Sequence, residues 1–166
     1  MSTIERKGFA FLSACGITAT IFTYIVSFSG VTSEATSHWE IVLIVGAFVV
    51  LIPMAVVERT RLSGRTFSFK EFGRGRPGWM MLCIKLFWVI AVAHVIWFYL
   101  RYSGGVPTVE HGQFVLDNHG RIEELTKSEY LSTEAGELRL CASWVMNCYL
   151  MAAAYWWFPR SEQQND

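Results

Sequence analysis

The chain has 166 residues, 52% hydrophobic, 15% aromatic and only 17% charged, which is too apolar for a soluble domain of this size and reads as a membrane protein. Its 14 basic and 14 acidic residues cancel to +0, so the information lies in where each sign falls along the chain. The four cysteines, at 15, 83, 141 and 148, have no CxxC or ligand-like spacing; most fall in apolar runs, which argues against a disulfide framework and for small buried hydrophobes.

The first apolar segment, residues 9–28, is about the 20 residues a helix needs to cross a hydrocarbon core. Arg6 and Lys7 precede it and Ser27-Phe28-Ser29 could serve as a cleavage site, but the run is longer than the core of a signal peptide and is read as a retained helix. Ser13, Gly16, Thr20, Thr23 and Ser27 recur at spacings of three and four, gathering small and hydroxyl side chains on one stripe. Close helix packing is its expected use. A hydrophilic path through an oligomer is the alternative.

Residues 29–38 contain no Lys or Arg, and a second apolar segment follows over 39–57 with Trp39 at its start and Pro53 inside. Pro53 removes a backbone donor and crowds the carbonyl of Val49, which predicts a kink. The connection 58–78 then carries Arg59, Arg61, Arg65, Lys70, Arg74 and Arg76 interleaved with Phe67, Phe69 and Phe72. Phenylalanines at the acyl boundary and cations at the headgroups make this a membrane-hugging loop, and the six basic residues are the predicted contacts to anionic lipid. A short loop held against lipid is a poor nucleic-acid platform, so none is expected as a partner. The Gly-rich end of the loop lacks the Lys-Ser/Thr of a phosphate loop.

The third segment, 79–100, is bounded by Trp79, Trp97 and Tyr99, aromatic residues of the headgroup level. Lys85 lies near one end and can snorkel. His94 is deeper, at a level comparable with Thr20 and Thr23 of the first segment and Asn147 of the fourth. Polar groups at such depth face a protein interior, so Thr20, Thr23, His94 and Asn147 are predicted to point inward together. A hydrogen-bonded cluster that fixes helix register is the expected role; a proton-coupled or ligand-binding site is the alternative.

Residues 101–137 form the one soluble-like module. Ser103-Gly104-Gly105-Val106-Pro107 reads as turn, Gln113–Leu116 as a β-strand, Asp117-Asn118-His119-Gly120 as a reversal, and Arg121–Leu125 as the returning strand of a hairpin. Thr126 and Glu129 have capping-box spacing and start a short helix that leads into the fourth apolar segment, 138–158, closed by Tyr155, Trp156 and Trp157. His111, Asp117 and His119 could be ligands or an acid-base set. Asp117 and His119 sit at the turn while His111 lies before the first strand, and zinc needs three or four convergent donors, so neither metal, cofactor nor catalysis is predicted and the three are read as the polar tip of the module.

Excess Lys and Arg mark the cytoplasmic side. The amino end and the 58–78 loop are basic, whereas 101–137 holds three basic residues, Arg101, Arg121 and Lys127, against seven acids. Both termini and the basic loop are therefore expected inside and 101–137 outside. Short loops and the lack of an N-x-S/T acceptor favour a bacterial inner membrane. The expected architecture is an all-α four-transmembrane-helix bundle with a small outer hairpin and short helix. Its expected function is interaction, as a sensor, regulator or accessory subunit, with a protein partner or a second copy of itself. An oligomeric pore or small transporter lined by the first-helix stripe and His94, and an enzyme at the outer interface, are the alternatives.

Overall fold

The computed structural model describes residues 2–29, 34–62, 68–118 and 120–158, leaving aside the side chains of 34–37 and 62. Its elements are α1 (Thr3–Val26), α2 (Glu34–Leu62), α3 (Phe69–Gly73), α4 (Gly78–Tyr102), β1 (Val106–Glu110), β2 (Gln113–Asn118), β3 (Arg121–Glu124) and α5 (Lys127–Trp157). Among the described residues three helices are long and apolar enough to cross a membrane: α1, the part of α2 over His38–Arg61, and α4. The helix α2 continues through Pro53 to Leu62.

Capping boxes start both α1 and α5. In α1 the Ser2 hydroxyl accepts from the Glu5 amide and the Glu5 carboxylate accepts from the Ser2 amide; in α5 Thr126 and Glu129 do the same. Each box satisfies two amides that a helix start leaves without partners. The start predicted at Thr126 is therefore present, and the helix that begins there enters the fourth apolar segment directly. It is the first part of α5, which runs unbroken past Gly136 because that glycine is a packing position: an added Cβ there would meet Tyr102, Trp97 and Phe98 of α4 at 3.3–3.6 Å.

Helix α5 packs against α1, α2 and α4, and named contacts fix the directions. Trp79 meets Phe158, Trp88 meets Trp144, and Tyr102 reaches Ser132, so α4 is antiparallel to α5 along nearly its whole length. Phe9 stacks on Trp156 while Arg139 reaches Ser27, which makes α1 antiparallel as well. Tyr149 bonds the Leu43 carbonyl and Trp156 that of Val50, so α2 runs parallel to α5. Ala152, Ala153 and Ala154 are fully buried on α5; such small side chains let neighbouring backbones approach closely. The outer helices present Phe11, Phe22, Phe48, Val89 and Leu100 outward. Large apolar side chains thus face outward as well as filling the core, and polar Ser143 and Asn147 are buried inside.

The sheet is an antiparallel meander in the order β1-β2-β3. The predicted hairpin is its β2–β3 half; β1 begins in Val106-Pro107, the end of the expected turn, and continues through Glu110, where no strand is predicted. Val106, Thr108 and Val109 are β-branched and favour a strand, and Pro107, opposite Leu116, is tolerated because β1 is an edge. Val115 and Leu116 are buried, and the Phe114 ring lies 4.8 Å from that of Tyr130. This seats the sheet on the start of α5. An isolated two-stranded hairpin would be marginal in water.

Candidate functional site

Thr20 and Thr23 are buried in α1. The Thr20 hydroxyl lies 2.8 Å from the Gly16 carbonyl and 2.9 Å from that of Ile17, while Thr23 donates to the Ala19 carbonyl and accepts from the Trp39 indole at 2.8 Å. Ser13 and Ser27 also bond carbonyls of their own helix. The α1 stripe is therefore satisfied locally and turned towards α5, where Gly16 admits the Tyr149 ring. Asn147 is buried; its amide donates to the Ser143 carbonyl at 3.2 Å, and its Oδ1 has no partner among the described residues.

His94 is only half-buried and pairs elsewhere. Its Nδ1 is 3.0 Å from the Ile90 carbonyl and its Nε2 3.2 Å from the Tyr24 hydroxyl. A carbonyl can only accept, so Nδ1 carries the proton and, in the neutral ring, Nε2 accepts from Tyr24. Among the described residues, none of Thr20, Thr23, His94 and Asn147 bonds another of the four.

At the sheet, Glu110 pairs with Gln113 and the two residues between them, His111 and Gly112, have φ of 51° and 82°. Two positive φ values in a two-residue loop are those of a type I′ turn. His111 is thus a turn residue between β1 and β2. At the other end of β2, Asn118 pairs with Arg121, and Gly120 between them has φ 89° and donates its amide to Asp117 Oδ1 at 2.8 Å. His119 lies outside the described residues. The two turns stand at opposite ends of β2, roughly 17 Å of strand apart, so His111 and Asp117 do not converge, and no metal-ligand group of three exists among the described residues.

Between the sheet and the adjoining ends of α4 and α5 lies a cleft of about 440 Å³. Arg101, Arg121, Glu123 and Glu129 bring charge to it, Tyr102 and Ser132 hydroxyls, and Leu116 an apolar wall. The Thr126 hydroxyl and amide, with a smaller contribution from Arg101, hold the Glu129 carboxyl below its usual range. Burial, assisted by Glu134, pushes the Tyr130 hydroxyl up. No residue of this cleft except Arg101 and Arg121 was singled out by charge counting, because the cleft is created by β2, β3 and the adjoining ends of α4 and α5 meeting in space.

At the opposite end, Arg59, Arg61, Lys70 and Arg74 are exposed, as lipid contacts would have to be, and Arg65 lies outside the described residues. Arg76 is different: it is buried. Its Nε donates to the Ala154 carbonyl at 2.9 Å, its Nη1 to the Phe72 carbonyl, and its guanidinium stacks 4.1 Å from the Phe72 ring centre. It completes the C-terminal end of α5, where free carbonyls favour a cation, so it belongs to the protein interior rather than to the lipid-facing set.

No protein family, curated protein or solved structure matches this chain.

Arg139, which sequence reading passed over as part of an apolar run, mirrors Arg76. It donates to the carbonyl of Ser27, the cap residue of α1, at 3.0 Å and lies over the rings of Phe28 and Trp97. A lone Arg at the edge of an apolar segment was the available signal. What the described residues offer chemically is therefore an α1 stripe whose hydroxyls bond their own helix, the helix-capping Arg76 and Arg139, and an open cleft lined by both signs of charge.

Proposed function

We propose that this protein is a four-span helical bundle of a bacterial inner membrane, with both termini and the basic loop in the cytoplasm, which acts through interactions of its outer sheet and not through chemistry of its own. The fourth span is α5. Support comes from its lying alongside α4 from Tyr102 to Trp79, so that it reaches as far as its neighbours; its own apolar face has partners on three sides, which is why it needs less hydropathy than they do.

The observation that carries the interaction reading is the β3 edge. Arg121, Ile122, Glu123 and Glu124 are all exposed, and an edge strand with an exposed Ile122 offers unpaired backbone groups that a partner strand can extend. Exposed Arg59, Arg61, Lys70 and Arg74 support anionic-lipid contact on the other side. The partner is a protein or a second copy of the chain. Photocrosslinking from position 122 in native membranes is expected to capture it; a sheet that captures nothing, and whose Ile122→Lys variant complements a deletion fully, would overturn the reading. Cysteine labelling at positions 66 and 162 tests the four spans, since an even count leaves both on one side of the membrane and the opposite labelling would refute it.

The alternative of a pore lined by the α1 stripe is less well supported, because the hydroxyls of Ser13, Thr20, Thr23 and Ser27 already bond their own helix.

A further inference from the structure

The geometry points to the 440 Å³ cleft as a binding site for a phosphodiester that carries a primary amine, the headgroup chemistry of an ethanolamine phospholipid. Clefts of this size hold small ligands when a few polar groups converge on them. Here two guanidiniums, of Arg101 and Arg121, face the same void as two carboxylates, of Glu123 and Glu129. Of these four groups Glu129 is engaged by the capping box and, more weakly, by the charge of Arg101. A planar guanidinium is matched to phosphate oxygens, and a free carboxylate to an ammonium.

The strand period explains the arrangement. Arg121 and Glu123 are two residues apart on β3 and share a face, so the cleft takes one cation and one anion from the strand while Ile122 points the other way. Position in the membrane supplies the source. Arg101 lies in the last turn of α4, the same turn as Tyr99 and Leu100, which are 66% and 79% exposed, so acyl chains lying against this end of the helix would bring a headgroup to the level of the cleft. This last step rests on the membrane placement proposed above; the ionic complementarity does not.

Full-length protein in detergent tests the assignment. Native mass spectrometry with equimolar phosphatidylethanolamine and phosphatidylglycerol of identical chains is expected to show retention of the first by roughly tenfold over the second, since a charge-assisted hydrogen bond is at stake. Glu123→Gln removes that preference, and the Arg101→Ala/Arg121→Ala pair loses both lipids. These side chains are exposed, and circular dichroism of each variant checks that the fold is kept. Calorimetric titration with soluble glycerophosphoethanolamine distinguishes the sources: binding as tight as that of the lipid means a free solute is the ligand, and much weaker binding means a lipid is. Either result supports the cleft chemistry, the former even if the membrane placement failed. Equal retention of the two lipids without binding of the soluble diester, or unchanged binding in the variants, overturns it.

Discussion

Tyr149 of α5 is wedged between two glycines on different helices, and the two contacts differ in a way that a mutant cycle can read. Its hydroxyl donates to the Leu43 carbonyl of α2 at 3.0 Å. A Cβ added at Gly46 would collide with that hydroxyl but sit 3.6 Å from Cζ, an ordinary contact; one added at Gly16 would collide with ring carbons Cε1, Cδ1 and Cζ. Gly46→Ala therefore incurs an overpacking cost of ~1–3 kcal/mol against a helix-propensity gain of about 1 kcal/mol, a net loss of roughly 0–2 kcal/mol. Tyr149→Phe forfeits one hydrogen bond, about 0.5–1.5 kcal/mol. Once the hydroxyl is gone the collision at Gly46 is gone with it, so Gly46→Ala in the Tyr149→Phe background is neutral or stabilising by up to ~1 kcal/mol. The expected coupling is the overlap term itself, ~1–3 kcal/mol in favour of the double variant. Gly16→Ala is the control, destabilising in both backgrounds because phenylalanine keeps the ring. Equilibrium unfolding in mixed micelles measures all four corners. If Gly46→Ala costs the same in the parent and in the Tyr149→Phe background to within ~0.5 kcal/mol, the packing of α5 between α1 and α2 is not as described.

Other substitutions separate buried from solvated polarity. Arg76→Met should destabilise by about 3–5 kcal/mol in the same assay, through two lost charge-assisted hydrogen bonds and the stacking on Phe72, whereas exposed Arg74→Ala should stay within ~0.5 kcal/mol. Asn147→Leu removes a buried oxygen with no partner among the described residues and should be neutral or stabilising; a clear loss of stability would show that the oxygen is in use. Gly112→Ala meets no neighbour within 4 Å, so its expected cost, ~1–2 kcal/mol, comes from the left-handed backbone alone and should appear as faster amide exchange in β1 and β2. For the first turn of α5 the Glu129 carboxyl is held below the ordinary value of 4.5, so the folded state binds its proton less tightly than the unfolded chain. Its stabilisation is present above pH 4.5 and lost as pH falls through the folded value. Hydrogen exchange at Thr126–Glu129 should accelerate only in that acidic window, and Glu129→Gln should remove the dependence.

Much of the helical scaffold was legible because apolar runs of about 20 residues have few structural outlets. The α1 stripe was legible too, since three- and four-residue spacing is a property of one helix. What could not be read were relations between segments. Whether His94 faces Asn147 or Tyr24 depends on the rotation of α4 about its axis, which an apolar helix with residues such as Ile90, Val92 and Val95 on every side does not encode. Arg76 was counted with its exposed neighbours because composition treats all loop arginines alike; only the arrival of the α5 carboxyl end, 78 residues later in sequence, makes it an interior group.

The two His-Gly pairs show the same limit from the other side. Locally each is a sufficient signal for a two-residue loop: a glycine takes the positive φ, and a short polar residue before it can share the left-handed region. Reading both pairs as loops turns the stretch into a three-stranded meander, with Val106–Glu110 as the missing strand. Reading only the second yields a hairpin and leaves His111 as a spare ligand. The difference matters for function. A meander carries Arg121 and Glu123 out on a third strand that faces the ends of α4 and α5, and that is what closes the charged cleft. His111 itself is left at the turn between β1 and β2, where with Gly112 it lets the chain reverse.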